Sequence, residues 1–117
     1  MAKANLAEKL SQFDELWSPR IVAQFNDCDV MLAKVEGEFV WHKHDDTDDL
    51  FYVLHGTLEL ELRDQTVVLS PGDLYVVPRG VEHRPAARHG QVHLMVMEKK
   101  GTPNTGDHAT AAKKKYI

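Results

Sequence analysis

Apolar positions along this chain change their period near residue 19. Leu6, Leu10, Phe13 and Trp17 recur every three or four residues, which predicts one helical face over 4–17. Pro19 ends it, because the residue before a proline is pushed out of helical geometry. From Arg20 onward the pattern is one of short runs rich in Val, Leu, Phe and Tyr, separated by Gly, Pro and Asp turns. That is the rhythm of an antiparallel sandwich or barrel. Strands are predicted over 20–25, 30–36, 38–44, 49–54, 57–63, 66–69, 74–77, 83–86 and 91–98. After Lys100 the chain turns to Gly, Thr, Pro and Asn and closes on a Lys-rich end, read as a loop and solvated tail. The organisation expected is a helical segment over 1–19 packing on the barrel or on a dimer partner, a barrel over 20–100, and a tail over 101–117.

Parity within the strands says which faces are buried. Leu58, Leu60 and Leu62 alternate with Glu59 and Glu61, so that strand is wet on one side. In 38–44, Val40, His42 and His44 share one face, and Phe39 and Trp41 hold the other. In 91–98, Val92, Leu94 and Val96 oppose His93, Met95 and Met97. Two-sided apolar strands in a small barrel call for an outer cover, and a homodimer using these strands and the N-terminal helix is expected.

Composition narrows the function classes. With 117 residues, 43% of them hydrophobic, the chain suits one core. The longest apolar run, 50–54, falls far short of the ~20 residues of a spanning helix, so no membrane partner is expected. Net charge is −4, which repels phosphate backbones and argues against nucleic acid. The start has no apolar stretch of signal-peptide length. The single cysteine, Cys28, suits a reducing compartment, and a cytoplasmic location is expected. Cys28 lies between Asp27 and Asp29, whose charges disfavour a thiolate, so it reads as a structural thiol.

The chemistry concentrates in the histidines. His42 and His44 are one residue apart, so on a strand both imidazoles project to the same side, Cα atoms roughly 6.5–7 Å apart. If 45–48 form a turn, the Asp49 carboxylate returns beside them. Imidazole with carboxylate is a ligand set for Fe, Mn, Ni, Cu or Zn rather than for Ca or Mg. The alternative is an exposed hairpin tip carrying charge. A second segment bears on this: Gly72, Pro78, Gly80 and His83 follow the pattern Gly-x5-Pro-x-Gly-x2-His.

Together with Gly37, His42, His44, Asp49 and Gly56, that segment resembles the paired motifs of the cupin superfamily. The likeness runs over 30–98 and looks like that of small single-domain bacterial cupins. It implies an all-β double-stranded β-helix, or jelly-roll, with a divalent metal on His42, His44, Asp49 and His83, and two cis positions open on an octahedral ion. Three departures stand out. Four residues rather than five separate Gly37 from His42, the acidic position holds Asp49 in place of Glu, and Ala87 replaces an asparagine.

Val40, Phe51 and Val53 share parity with the motif residues and are expected to line the pocket. His93 is a candidate proton carrier, weighed against a plain wall or contact histidine. The resemblance leaves the reaction open, since cupins span oxygenases, isomerases and decarboxylases. The expected function is metal-dependent action on a small molecule, with Fe or Mn favoured and Ni or Zn as further choices. A non-catalytic ligand or metal sensor, and a metal-free sugar epimerase-like protein with His83 as base, stand as alternatives.

Overall fold

A computed structural model describes residues 2–117. One short helix, α1 (Leu6–Leu10), precedes eight strands: β1 (Arg20–Phe25), β2 (Cys28–Glu38), β3 (Asp49–His55), β4 (Leu58–Leu62), β5 (Thr66–Leu69), β6 (Leu74–Val77), β7 (His83–Lys99) and β8 (Lys115–Tyr116). Alternation sets the interior. Asp49, Phe51 and Val53 of β3 and Leu58, Leu60 and Leu62 of β4 are buried, while the residues between them are half-buried. These faces share one core with Val35, Leu69, Val92 and Leu94. The result is the all-β roll that the strand rhythm and the family motifs predict. No helix among the described residues is long and apolar enough to cross a membrane.

β7 is the spine. It pairs antiparallel with β2 along one edge and with β3 and then β4 along the other. β6 extends β3, β5 extends β4, and β1 extends β2. The turn expected between 86 and 91 is instead a bulge inside a continuous strand. The pairing of β2 with β7 jumps from Val35↔Val92 to Gly37↔Ala87, and Gly90 sits there at φ +114°. A bulge bends a strand without ending it. The opposing ribbon bends at Gly56, where φ is +82° and an added Cβ would lie 2.6 Å from the Gln91 carbonyl oxygen. Only glycine fits that crossing. With both ribbons curled, the two ends of β7 face the same interior, and this places the site.

The N-terminal helix is shorter than the apolar spacing predicts. Asn5 Oδ1 accepts the Glu8 backbone N–H at 3.0 Å and starts it, and Ser11 Oγ donates to the Glu8 carbonyl at 2.6 Å where it ends. Tertiary contacts then override the helical pattern. Lys34 Nζ donates to the Phe13 carbonyl at 2.6 Å, and the Trp17 N–H donates to the Lys34 carbonyl at 2.9 Å, which lays this stretch along β2. Leu6, Leu10, Met95, Leu54 and Ile117 gather around Phe13, Val22 and Leu32. Part of the outer apolar surface that pointed to a covering partner is thus covered by the chain's own ends.

At the Lys-rich end Lys113 and Lys115 stay exposed, while Lys114 between them does not. β8 pairs in parallel with β1, and Lys114 folds inward with only 12% of its side chain exposed.

Candidate metal centre

The segment expected as a strand over 38–44 leaves strand geometry after Glu38. It crosses the start of β7 instead. The Phe39 N–H donates to the Pro85 carbonyl at 3.0 Å, and His42 and His83 exchange a pair of backbone hydrogen bonds at 3.0 and 2.9 Å. That exchange sets the two histidines opposite one another, ring centroids 4.3 Å apart. Two residues on, the His44 carbonyl accepts the Gly80 N–H at 2.7 Å, tying the first motif to the turn of the second. Asp48 Oδ1 accepts the Arg79 N–H at 2.9 Å on the outside, which leaves Asp49 to open β3 pointing inward.

The imidazoles are oriented from behind. Nδ1 of His42 faces the Val40 carbonyl at 2.9 Å, and Nδ1 of His83 faces the Val81 carbonyl at 3.0 Å. A carbonyl only accepts, so the proton of each neutral ring belongs on Nδ1 and the lone pair on Nε2. Asp49 Oδ2 lies 3.3 Å from His44 Nε2 and 3.6 Å from His83 Nε2. Nδ1 and Nε2 of His44, Oδ1 of Asp49 and Nε2 of His83 are all buried without a hydrogen-bond partner. Buried polar atoms are rarely left so.

Metal–ligand bonds of about 2.0–2.2 Å put neighbouring ligand atoms about 3–3.5 Å apart, close to the separations among these side chains. His42, His44 and His83 form one group of ligand atoms lying within 4.8 Å of one another, and His44, Asp49 and Glu98 form a second. The donor set and its unpaired atoms therefore fit a divalent transition metal.

Burial drives the protonation states. It lowers the His42 imidazole to about 4, outweighing the Val40 carbonyl that favours the charged form. For Asp49 burial pushes upward, but His44, His83 and Glu98 outweigh it and hold the carboxyl well below the usual range. For Glu98 burial and the Asp49 charge both push upward, to about 9, against Lys114. The two acids are thus shifted in opposite directions, Glu98 upward and Asp49 downward.

A cavity of about 60 Å³ adjoins the cluster, walled by Trp17, Met31, Phe39, Phe51, Leu94 and Val96, with His42, Asp49, Glu98 and Asn104 as its polar points. One water needs about 10–15 Å³, so the space suits a ligand of a few heavy atoms. Trp17 and Phe39 stack at 4.6 Å between centroids and form one wall.

The structure brings His42, His44, Asp49 and His83 together and sets Phe51 beside them. Val53 is fully buried but belongs to the hydrophobic core rather than the cavity wall. Val40 is a correction: it is 51% exposed, because the chain leaves strand alternation after Glu38, and Phe39 lines the cavity in its place. His93 is a second. It lies on the outer side of β7, bonded to Gln91 Oε1 at 2.9 Å and beside the His55 ring. Burial and the neighbouring Lys34 lower its pKa, and it does not reach the cavity.

Glu98 is the residue that sequence reasoning missed. Its parity with Val92, Leu94 and Val96 was the available signal.

Comparison with known proteins follows the same outline. Uncharacterized protein YdbB of Bacillus subtilis is 39% identical over 79 residues, 67% of this chain and 70% of that protein. A cupin-2 domain containing protein from Shewanella frigidimarina is 47% identical, with a TM-score of 0.80 over 83% of this chain and 94% of that one. Protein NMB1881 from Neisseria meningitidis is 26% identical, with a TM-score of 0.76 over 85% and 100%. The pattern of the cupin domain family (Cupin_2) matches residues 29–98, a span that contains every residue of the histidine–carboxylate cluster, and the chain belongs to that family.

Proposed function

We propose that this cupin holds a divalent transition metal on His42, His44, Asp49 and His83 and presents it to a small molecule in the adjoining cavity. The observation that carries the reading is the convergence of buried side chains in which His44 Nε2 and His83 Nε2 lack a hydrogen-bond partner and lie 3.3 and 3.6 Å from Asp49 Oδ2, with His42 grouped beside His44 and His83. Such atoms destabilise a fold unless a cation satisfies them.

Iron(II) or manganese(II) is favoured, with nickel or zinc also suited to imidazole and carboxylate. When bound, such an ion polarises a carbonyl or activates water or dioxygen. The chain's own residues do the rest. The Val40 and Val81 carbonyls fix His42 and His83 in the tautomer that offers Nε2. Asp49 supplies one negative charge, the stacked Trp17 and Phe39 exclude water, and the cavity admits a ligand with a metal-binding polar end and a small apolar body. The largely apolar lining supports a second reading, a sensor or carrier that binds such a ligand without turnover.

Elemental analysis of purified protein beside His44→Ala tests the centre. Near one equivalent of a transition metal is expected in the wild type and a small fraction of that in the variant. Equal content in both would refute it. Oxygen uptake and product analysis over a panel of small carboxylates and ketones then separate turnover from binding.

A further inference from the structure

We propose that Glu98, carried by the far end of β7, is a further protein ligand of this metal and makes good the short reach of Asp49. The inference rests on the metal-binding reading above.

Asp49 stands where the family's first motif carries the longer glutamate, so its carboxylate starts one methylene further from the centre. Glu98 comes from the neighbouring strand. The register Leu50↔Met97, continued by one residue, sets Glu98 beside Asp49, and both side chains point into the barrel with 3% exposure. Glu98 Oε2 lies 3.9 Å from His44 Nε2, and the ligand atoms of Glu98, Asp49 and His44 all fall within 4.8 Å of one another. The same His44 Nε2 that faces Glu98 lies 3.3 Å from Asp49 Oδ2, which in turn lies 3.6 Å from His83 Nε2, so Glu98 adjoins the histidine cluster through these atoms.

The other oxygen of Glu98 is engaged elsewhere. Lys114 Nζ lies 3.0 Å from Oε1 and also donates to the Thr102 carbonyl. The lysine grips the carboxylate from the tail side and leaves Oε2 facing inward. Lys114 reaches Oε1 of Glu98 and not Asp49, and among the described residues the only basic side chains within ion-pair distance of Asp49 are His44 and His83. A divalent ion between these histidines and the two acids would engage Oε2 from the side that the lysine leaves open. Inward Oε2, lysine-bound Oε1 and adjacency to Asp49 are together what a ligand on a rigid strand requires.

The test uses Co(II) as the probe ion on the full chain, reading the dissociation constant by competition with a chromophoric chelator and the geometry from the visible ligand-field bands. Glu98→Gln keeps the side-chain volume, and Glu98→Asp checks reach; unfolding midpoints confirm that each variant folds. Glu98→Gln is expected to weaken Co(II) binding at least tenfold, the lower end of what loss of a residue that merely supports a ligand costs, and to shift the bands. Asp49→Asn is expected to retain measurable binding, because Glu98 remains, and the double variant to bind more weakly than either. Wild-type affinity and unchanged bands in Glu98→Gln, with His44→Ala still losing the ion, would overturn the role of Glu98 alone. If the wild type takes up no Co(II), or His44→Ala binds as the wild type does, the metal reading falls and this inference with it.

Discussion

If His44 is kept for a metal, the metal-free protein should be more stable without it. Its ring is buried, and both nitrogens lack a hydrogen-bond partner. A buried unpaired polar group costs ~1–3 kcal/mol, and leucine has a volume close to that of histidine without the polar atoms. His44→Leu is therefore expected to raise unfolding stability in chelator by about 1–3 kcal/mol. Partial strain from reshaping the site places the result toward the lower end of that range. Metal reverses the order. An ion at one hundred times its dissociation constant stabilises the wild type by about 2.7 kcal/mol and does nothing for the variant. The assay is urea unfolding followed by fluorescence, with EDTA and with excess Mn(II) or Co(II), at matched protein concentration. The two proteins should exchange rank between the two conditions. A variant less stable than the wild type in EDTA by more than about 1 kcal/mol would show that the ring serves packing, and the functional argument from unpaired atoms would fail.

Acid should act through His42, whose folded-state pKa is depressed to about 4 by burial. An unfolded chain takes up that proton near pH 6.5, so folding stability falls between those values as pH drops; metal-free wild type should lose about 2 kcal/mol relative to His42→Gln between pH 7 and 4.5, read from urea midpoints. Parallel pH slopes for the two proteins would contradict this. At Gly56 both the positive φ and the 2.6 Å approach to the Gln91 carbonyl oppose a side chain, so Gly56→Ala should cost roughly 2–4 kcal/mol. Gly90→Ala, with open space around it, should cost clearly less in the same denaturation series, and equal losses would count against the packing argument. Gly106 lies against the Lys43 carbonyl, 2.7 Å from an added Cβ; Gly106→Ala should lift the tail and speed tryptic cleavage at 113–115 several-fold, which peptide mass analysis would detect.

The elements with strong local signals were legible before any coordinates. β1, β5 and β6 follow their apolar runs, and His42, His44, Asp49 and His83 are marked by spacing that short turns keep in register. What escaped depends on partners distant in the chain. Phe13 and Trp17 continue a helical stripe on paper, yet Lys34 claims both backbones. Val40 follows strand parity only if the strand persists, and hydrogen bonds from β7 to Phe39 and His42 redirect it. Glu98 precedes two lysines and resembles a solvated strand end; its burial becomes visible only when parity is carried through to the last residue. Lys114 sits in a charge run whose ordinary reading is solvation, and nothing local announces an acid on a barrel strand.

β7 carries His83 at its first position and Glu98 at its next-to-last, and curvature turns both toward one spot. An ion held there by the proposed ligands would act as a buckle on a belt. It would fasten the two ends of a single strand through their side chains, and the barrel's roundness and its occupancy would become one property. Loosening of that fastening should show first as faster amide exchange at the two tips of the strand, while its bulged middle, held by β2, stays slow.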